Sequence, residues 1–110
     1  MSQYIKVFNV MKYNKLVRDN IPDIIRKKGE KVTVHVANTE EYWKKLKEKL
    51  KEEILEFEKD ESIEEIADIL EVLDAIIDYK SFNKDEIEKI KVKKAEEKGK
   101  FKNRIILDES

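Results

Sequence analysis

Two stretches with helical periodicity, residues 40–59 and 62–80, are joined by a connection so short that the chain has to turn straight back on itself. On the first stretch Tyr42, Trp43, Leu46, Leu50, Ile54 and Phe57 recur at about 100° per residue and form one apolar arc. On the second, Ile63, Ile66, Ile69, Leu70, Val72, Leu73, Ala75, Ile76 and Ile77 make most of the circumference apolar. Between them lies Lys59-Asp60-Glu61-Ser62, in which Ser62, followed three residues later by Glu65, is a helix-start signature. Helices joined this tightly become antiparallel neighbours. The expected fold is therefore mainly α, built on an antiparallel helical hairpin over about 40–59 and 62–80.

The rest of the chain is read from its punctuation. Asn20 and Pro22 open a short helix and Gly29 closes it, Pro being suited to the first turn and Gly to the position after the last. Asn38 or Thr39 caps the first long helix. A third long helix is capped by Asn83, with Glu86 three residues on, and runs to Gly99. The alternating valines of residues 31–36 predict a short strand, and Arg104-Ile105-Ile106-Leu107 predicts a second that could pair with it. Residues 1–10 read as an N-terminal extension, with Met11 a fresh beginning, and residues 1–110 as a single domain. A helix apolar on most sides has too little of its own chain to cover it. A homodimer or higher oligomer, assembled as a helical bundle with 62–80 near the interface, is expected.

Four carboxylates interrupt this pattern. Glu53 and Glu56 form one Glu-x-x-Glu pair, Glu65 and Asp68 a Glu-x-x-Asp pair, and each pair shares a helix face. Reversal of the chain near residues 60 and 61 sets 53 against 68 and 56 against 65. Glu53 falls inside the apolar arc, about 20° from Leu46, where the pattern asks for Leu. Glu56 lies just past the edge of the arc beside Lys49, and Glu65 and Asp68 lie on the flank shared with Val72, Ile76 and Tyr79. Acidic groups placed against apolar faces and against one another need protonation or a bound cation. Oxygen-only ligands favour a hard divalent ion, Mg2+ or Mn2+.

Composition narrows the function classes. Charged residues make up 45% of the 110, yet the formal net charge is only -1, so no single-sign field points to nucleic acid or a membrane surface. There is no Cys, hence no thiolate metal site and no cysteine nucleophile, which fits a reducing cytoplasm. No apolar run in residues 1–20 resembles a signal peptide, and no segment approaches transmembrane length. A cytoplasmic protein is expected. His35 is the single histidine and stands alone, so a transition-metal site is not indicated.

With Glu53-x-x-Glu56 and Glu65-Ile66-Ala67-Asp68 in view, the chain resembles the all-α nucleoside triphosphate pyrophosphohydrolases, in particular the small MazG-related and phosphoribosyl-ATP pyrophosphohydrolase-like proteins. The N-terminal Tyr13-Asn14-Lys15-Leu16-Val17-Arg18-Asp19 with Ile21-Pro22, and the C-terminal Lys93-Lys94-Ala95-Glu96-Glu97-Lys98-Gly99 with Phe101 to Leu107, resemble motifs of that group. Asn20 stands where a lysine is common, and Lys100 replaces the second glycine of the usual Gly-Gly-Phe. The resemblance implies Mg2+-dependent cleavage between the α and β phosphates of a nucleotide, giving a monophosphate and pyrophosphate, as in house-cleaning of the nucleotide pool. It implies Glu53, Glu56, Glu65 and Asp68 as metal ligands.

Hydrolysis of an anhydride needs a proton acceptor for water and cations for the phosphates. Glu56, at the edge of the arc, is the candidate base, with Glu53 beside it as the second catalytic carboxylate. Lys15, Arg18, Lys94 and Arg104 are the candidate phosphate-binding residues. Two other readings remain: phosphoribosyl-ATP pyrophosphohydrolase of histidine synthesis, and a noncatalytic helical interaction module.

Overall fold

The computed structural model describes residues 12–110. Among the described residues there are four helices, α1 (Ile21–Lys27), α2 (Thr39–Lys59), α3 (Ile63–Lys80) and α4 (Lys84–Lys98), and no strand. None is long and apolar enough to cross a membrane. Contacts divide the chain into two compact units, Met1–Leu73 and Asp74–Ser110, with the boundary inside α3.

In the first unit the helix ends follow local chemistry. α1 carries Pro22 in its first turn, Asp23 near its start, and Arg26 and Lys27 near its end, the polarity favoured by the helix dipole. It stops at Gly29, whose φ of 81° is the left-handed conformation that glycine adopts at little cost. α2 begins where the Asn38 side chain accepts a hydrogen bond from the Glu41 amide at 2.9 Å, satisfying one of the orphan donors of the first turn. It ends at Asp60, and the Ser62 amide bonds back to the Asp60 carbonyl at 2.7 Å. Ser62 then accepts a longer bond, 3.4 Å, from the Glu65 amide, which is half of the expected capping box. Lys45 of α2 donates to the Asn14 carbonyl at 2.6 Å and so ties the segment before α1 to the middle of the long helix.

The core of this unit is thin. Leu46 of α2 is 1% exposed and Val72 of α3 is 8% exposed. The third buried side chain among the described residues is Glu53, as covered as Val72. By contrast Ile63, Ile66, Leu70 and Leu73 recur along one side of α3 and all stay exposed.

The second unit consists of the end of α3, α4 and the C-terminal segment. Asn83 caps α4 by accepting from the Glu86 amide at 2.9 Å, and Gly99, with φ 84°, closes it while its amide reaches the Ala95 carbonyl. Phe101, Ile105, Ile106 and Leu107 are all largely exposed.

Two expectations are corrected. Residues 31–36 and 104–107 form no strand. Alternating valines express a preference for a pleated, half-buried surface, and the preference becomes a strand only when another backbone pairs with it. Val34 and Val36 lie exposed, and among the described residues no backbone hydrogen bond of this kind reaches 31–36. At the other end Arg104 takes a φ of 57°, which breaks the extended run at its first residue.

Leu46 is the most deeply buried side chain among the described residues, so Leu46→Ala should lower unfolding free energy by about 3 kcal/mol in urea denaturation. A loss under about 1 kcal/mol would mean that this side chain is not held in a packed core.

Candidate metal centre

The turn between α2 and α3 brings Glu53, Glu65 and Asp68 together, with one carboxylate oxygen from each lying within 4.8 Å of the others. Helical periodicity explains how. Glu65 and Asp68 are three residues apart and share a face of α3, and reversal at 60–62 sets that face against the part of α2 where Glu53 sits. Glu53 is buried, and Glu65 and Asp68 are half-buried.

Each carboxylate meets a different fate. Glu53 Oε1 lies 3.2 Å from Lys49 Nζ, one turn earlier on the same helix. Asp68 Oδ1 accepts a 2.8 Å hydrogen bond from Arg18 Nη2, fifty positions away in the segment before α1. Glu65 Oε2 is buried and has no hydrogen-bond partner. A buried acceptor with nothing to accept is rare in folded proteins. Burial, together with the charges of Asp68, Glu53, Glu56 and Asp60, raises the pKa of the Glu65 carboxyl above its ordinary 4.5.

Glu56 lies outside the group of three. It is exposed on α2, and it reaches the group through its charge on Glu65. The structure thus gathers three of the four expected ligands and leaves the fourth at the rim.

Beside the carboxylates lies a pocket of about 260 Å³ lined by Lys15, Val17, Arg18, Ile21, Lys49 and Glu53. Three of its six lining residues are cationic. Lys15 Nζ donates to Glu52 Oε1 at 2.8 Å, and Lys49 Nζ reaches Glu52 Oε2 at 3.4 Å. Partial burial pushes the Glu52 carboxyl up, but the Lys15 hydrogen bond and the charges of Lys49 and Lys15 outweigh it, leaving its pKa below the ordinary value. The same bond, against partial burial, raises the pKa of Lys15. This pair therefore holds between the two titrations and is lost below the Glu52 pKa or above that of Lys15.

Lys49 and Glu52 belong to the site although the sequence reading assigned them no role in it. The helical arc sets Lys49 beside Glu56, seven positions on, whereas the i, i+4 spacing to Glu53 is the available signal. Of the expected phosphate contacts, Lys15 and Arg18 line the pocket. Lys94 and Arg104 are exposed residues of the second unit. A second hollow, of about 470 Å³, is lined by Asp85, Glu88, Lys89, Val92, Lys93 and Glu96. These positions lie on one face of a single helix, so the hollow is open surface between side chains rather than a site.

No protein-family model matches this chain, and neither does a curated protein or a solved structure.

The donor set and the orphaned Glu65 oxygen fit a hard divalent cation. Three carboxylates supply oxygen ligands only, and water could complete the six positions that Mg2+ requires. Without a cation the group is crowded, and the sign of the Glu65 shift states the consequence. A carboxyl whose folded pKa is raised destabilises the fold once ionised, and this penalty is absent below about pH 4.5. In cation-free buffer at neutral pH, Glu65→Gln should therefore melt above the wild type, and the gap should close as the pH falls toward that value. A variant that melts lower, or a gap independent of pH, would show that the carboxylates are not in conflict.

Proposed function

We propose that the chain is a Mg2+-dependent nucleoside triphosphate pyrophosphohydrolase that cleaves between the α and β phosphates to release a monophosphate and pyrophosphate. The observation that carries this reading is the convergence of Glu53, Glu65 and Asp68, with one buried Glu65 oxygen lacking a hydrogen-bond partner, beside a pocket lined by three cations. A site with both halves suits an anionic substrate handled with a divalent cation. The motif resemblance of both ends and of the acidic pairs supplies the reaction class.

Glu53, Glu65 and Asp68 would hold Mg2+, or Mn2+ in its place. Bound there, the ion supplies charge neutralisation on phosphate oxygens and a water of lowered pKa. The chain's own residues do the rest. Glu56, exposed on α2 and outside the tight group, would take a proton from water. Lys15, Arg18 and Lys49 face the pocket and can neutralise the remaining phosphate charge, Arg18 with a planar fork suited to two oxygens at once. Lys94 and Arg104 stand as phosphate candidates on their motif alone.

Ile63, Ile66, Leu70 and Leu73 favour a homo-oligomer. They form an exposed apolar line along the α3 segment that carries Glu65 and Asp68. A second copy of the chain is the proposed cover, since a contiguous apolar stripe of this kind rarely faces water in a monomer. The same stripe is the feature that would serve the alternative, a noncatalytic interaction module. The clustering of Glu53 with Glu65 and Asp68 argues against that alternative, because a scaffold has no need of three carboxylates brought together, one of them buried.

Product identity tests the reaction class. Phosphate detection on nucleoside triphosphates should respond only when inorganic pyrophosphatase is added, and a signal without it would contradict α–β cleavage. Glu53→Gln and Asp68→Asn should each lower Mg2+-dependent turnover by roughly a hundredfold or more, about 3 kcal/mol of transition-state stabilisation, without loss of helical circular dichroism. Full activity in either variant would remove its carboxylate from the site.

Light scattering at micromolar concentration should give at least twice the chain mass of 13.1 kDa. A monomer would leave the α3 stripe without its proposed cover.

A further inference from the structure

The acidic site is not simply empty of positive charge. Arg18 donates to Asp68 at 2.8 Å, and Lys49 sits 3.2 Å from Glu53, so two of the three clustered carboxylates already hold a cationic side chain. The pair that holds Glu53 is well covered, with Lys49 and Glu53 side chains 17% and 11% exposed, whereas Arg18 and Asp68 are 56% and 39% exposed. Both cations also line the neighbouring pocket, together with Lys15. Lys15 differs from them in pairing with none of the three: its partner is Glu52, which Lys49 also reaches.

We infer that Arg18 and Lys49 are resident counter-cations of the acidic site, displaced when a divalent cation binds and thereby released to a phosphate group in the adjoining pocket. The inference rests on the cation-site reading given above and adds the order of events to it. Oxygens engaged by Arg18 and Lys49 are compromised as ligands for Mg2+, because an ammonium or guanidinium cannot share the same lone pairs at close range without repulsion between the cations. Once Mg2+ takes the carboxylates, the two side chains lose their partners while still bordering a pocket that suits an anion. Glu52 remains as an alternative partner for Lys49, at 3.4 Å, so Lys49 has a short swing away from Glu53 rather than a long one. Cation and phosphate then favour each other through side chains of the protein, and by linkage each strengthens the other by the same factor.

Displacement and mere support predict opposite signs. If Arg18 only oriented Asp68 for the metal, removing it would weaken cation binding, as loss of a hydrogen bond to a ligand does. If Arg18 competes for Asp68, removing it strengthens binding. The gain should be roughly two- to fivefold, the range set by a half-exposed ion pair. Lys49→Gln should act in the same direction, and Arg18, being more exposed, tests the idea free of any folding defect in Lys49→Gln.

The experiment is calorimetric titration of the nucleotide-free protein with Mn2+ at about 0.15 M salt, where charges farther apart than about 8 Å are screened. Wild type, Arg18→Gln, Lys49→Gln and Lys45→Gln are compared, Lys45 being a lysine of the same helix that pairs with Glu48 and the Asn14 carbonyl instead. Tighter Mn2+ binding in Arg18→Gln, with Lys45→Gln close to wild type, is the expected result. In the same series inorganic phosphate should bind more tightly to Mn2+-loaded than to metal-free wild type, and this coupling should shrink in Arg18→Gln. Weaker or unchanged Mn2+ binding in Arg18→Gln overturns the displacement, and so does an equal gain in Lys45→Gln, which would mark a general charge effect. Failure of the wild type to bind Mn2+ saturably would overturn the cation-site reading itself.

Discussion

Close approach of the Glu53, Glu65 and Asp68 carboxylates is the constraint that the ion pairs of the first unit answer. Their oxygens lie within 4.8 Å of one another on two helices, one of the carboxyls is buried and another has a buried oxygen with no partner. An arrangement of this kind persists only if the surrounding structure compensates for it. Lys49 and Arg18 are the visible compensation, and they bind the segment before α1 to the hairpin through the Arg18–Asp68 contact. Packing alone is a weak frame for the site, since Leu46 and Val72 are the only buried apolar side chains among the described residues.

The ion pairs themselves carry different weight. Lys49–Glu53 is mostly covered, so breaking it by removing Lys49 would leave an uncompensated buried carboxylate. Arg18–Asp68 and Lys15–Glu52 are more open to water and contribute modestly to stability, which makes them suited to exchange partners. The pocket that these cations line adjoins the carboxylates, with Glu53 a member of both.

Much of this was legible in the sequence because it depends on local chemistry. Asn38 and Asn83 cap the helices expected of them, Gly29 and Gly99 close theirs, and the break at 60–62 makes the hairpin that brings Glu53 to Glu65 and Asp68. The burial of Glu53 followed from its place in the apolar arc. What depends on distant pairing was not legible. The alternating valines of 31–36 and the run 104–107 suggest two strands that could pair with each other, and neither forms. Arg18 meets Asp68 across fifty positions, through the path of an irregular segment that no periodicity describes. The Lys49–Glu53 contact lay within reach of spacing rules but was overshadowed by the edge position of Glu56.

The central claim is that the three carboxylates form a preorganised cation site rather than a patch of solvated acid. Thermal scans at matched ionic strength, with and without millimolar Mg2+, test it most directly, because a cation that binds the folded chain preferentially raises the melting temperature by mass action. The wild type should melt higher with Mg2+, and Glu53→Gln should lose most of that shift. Identical midpoints for the wild type with and without Mg2+, in the presence of nucleotide as well as in its absence, would contradict the account.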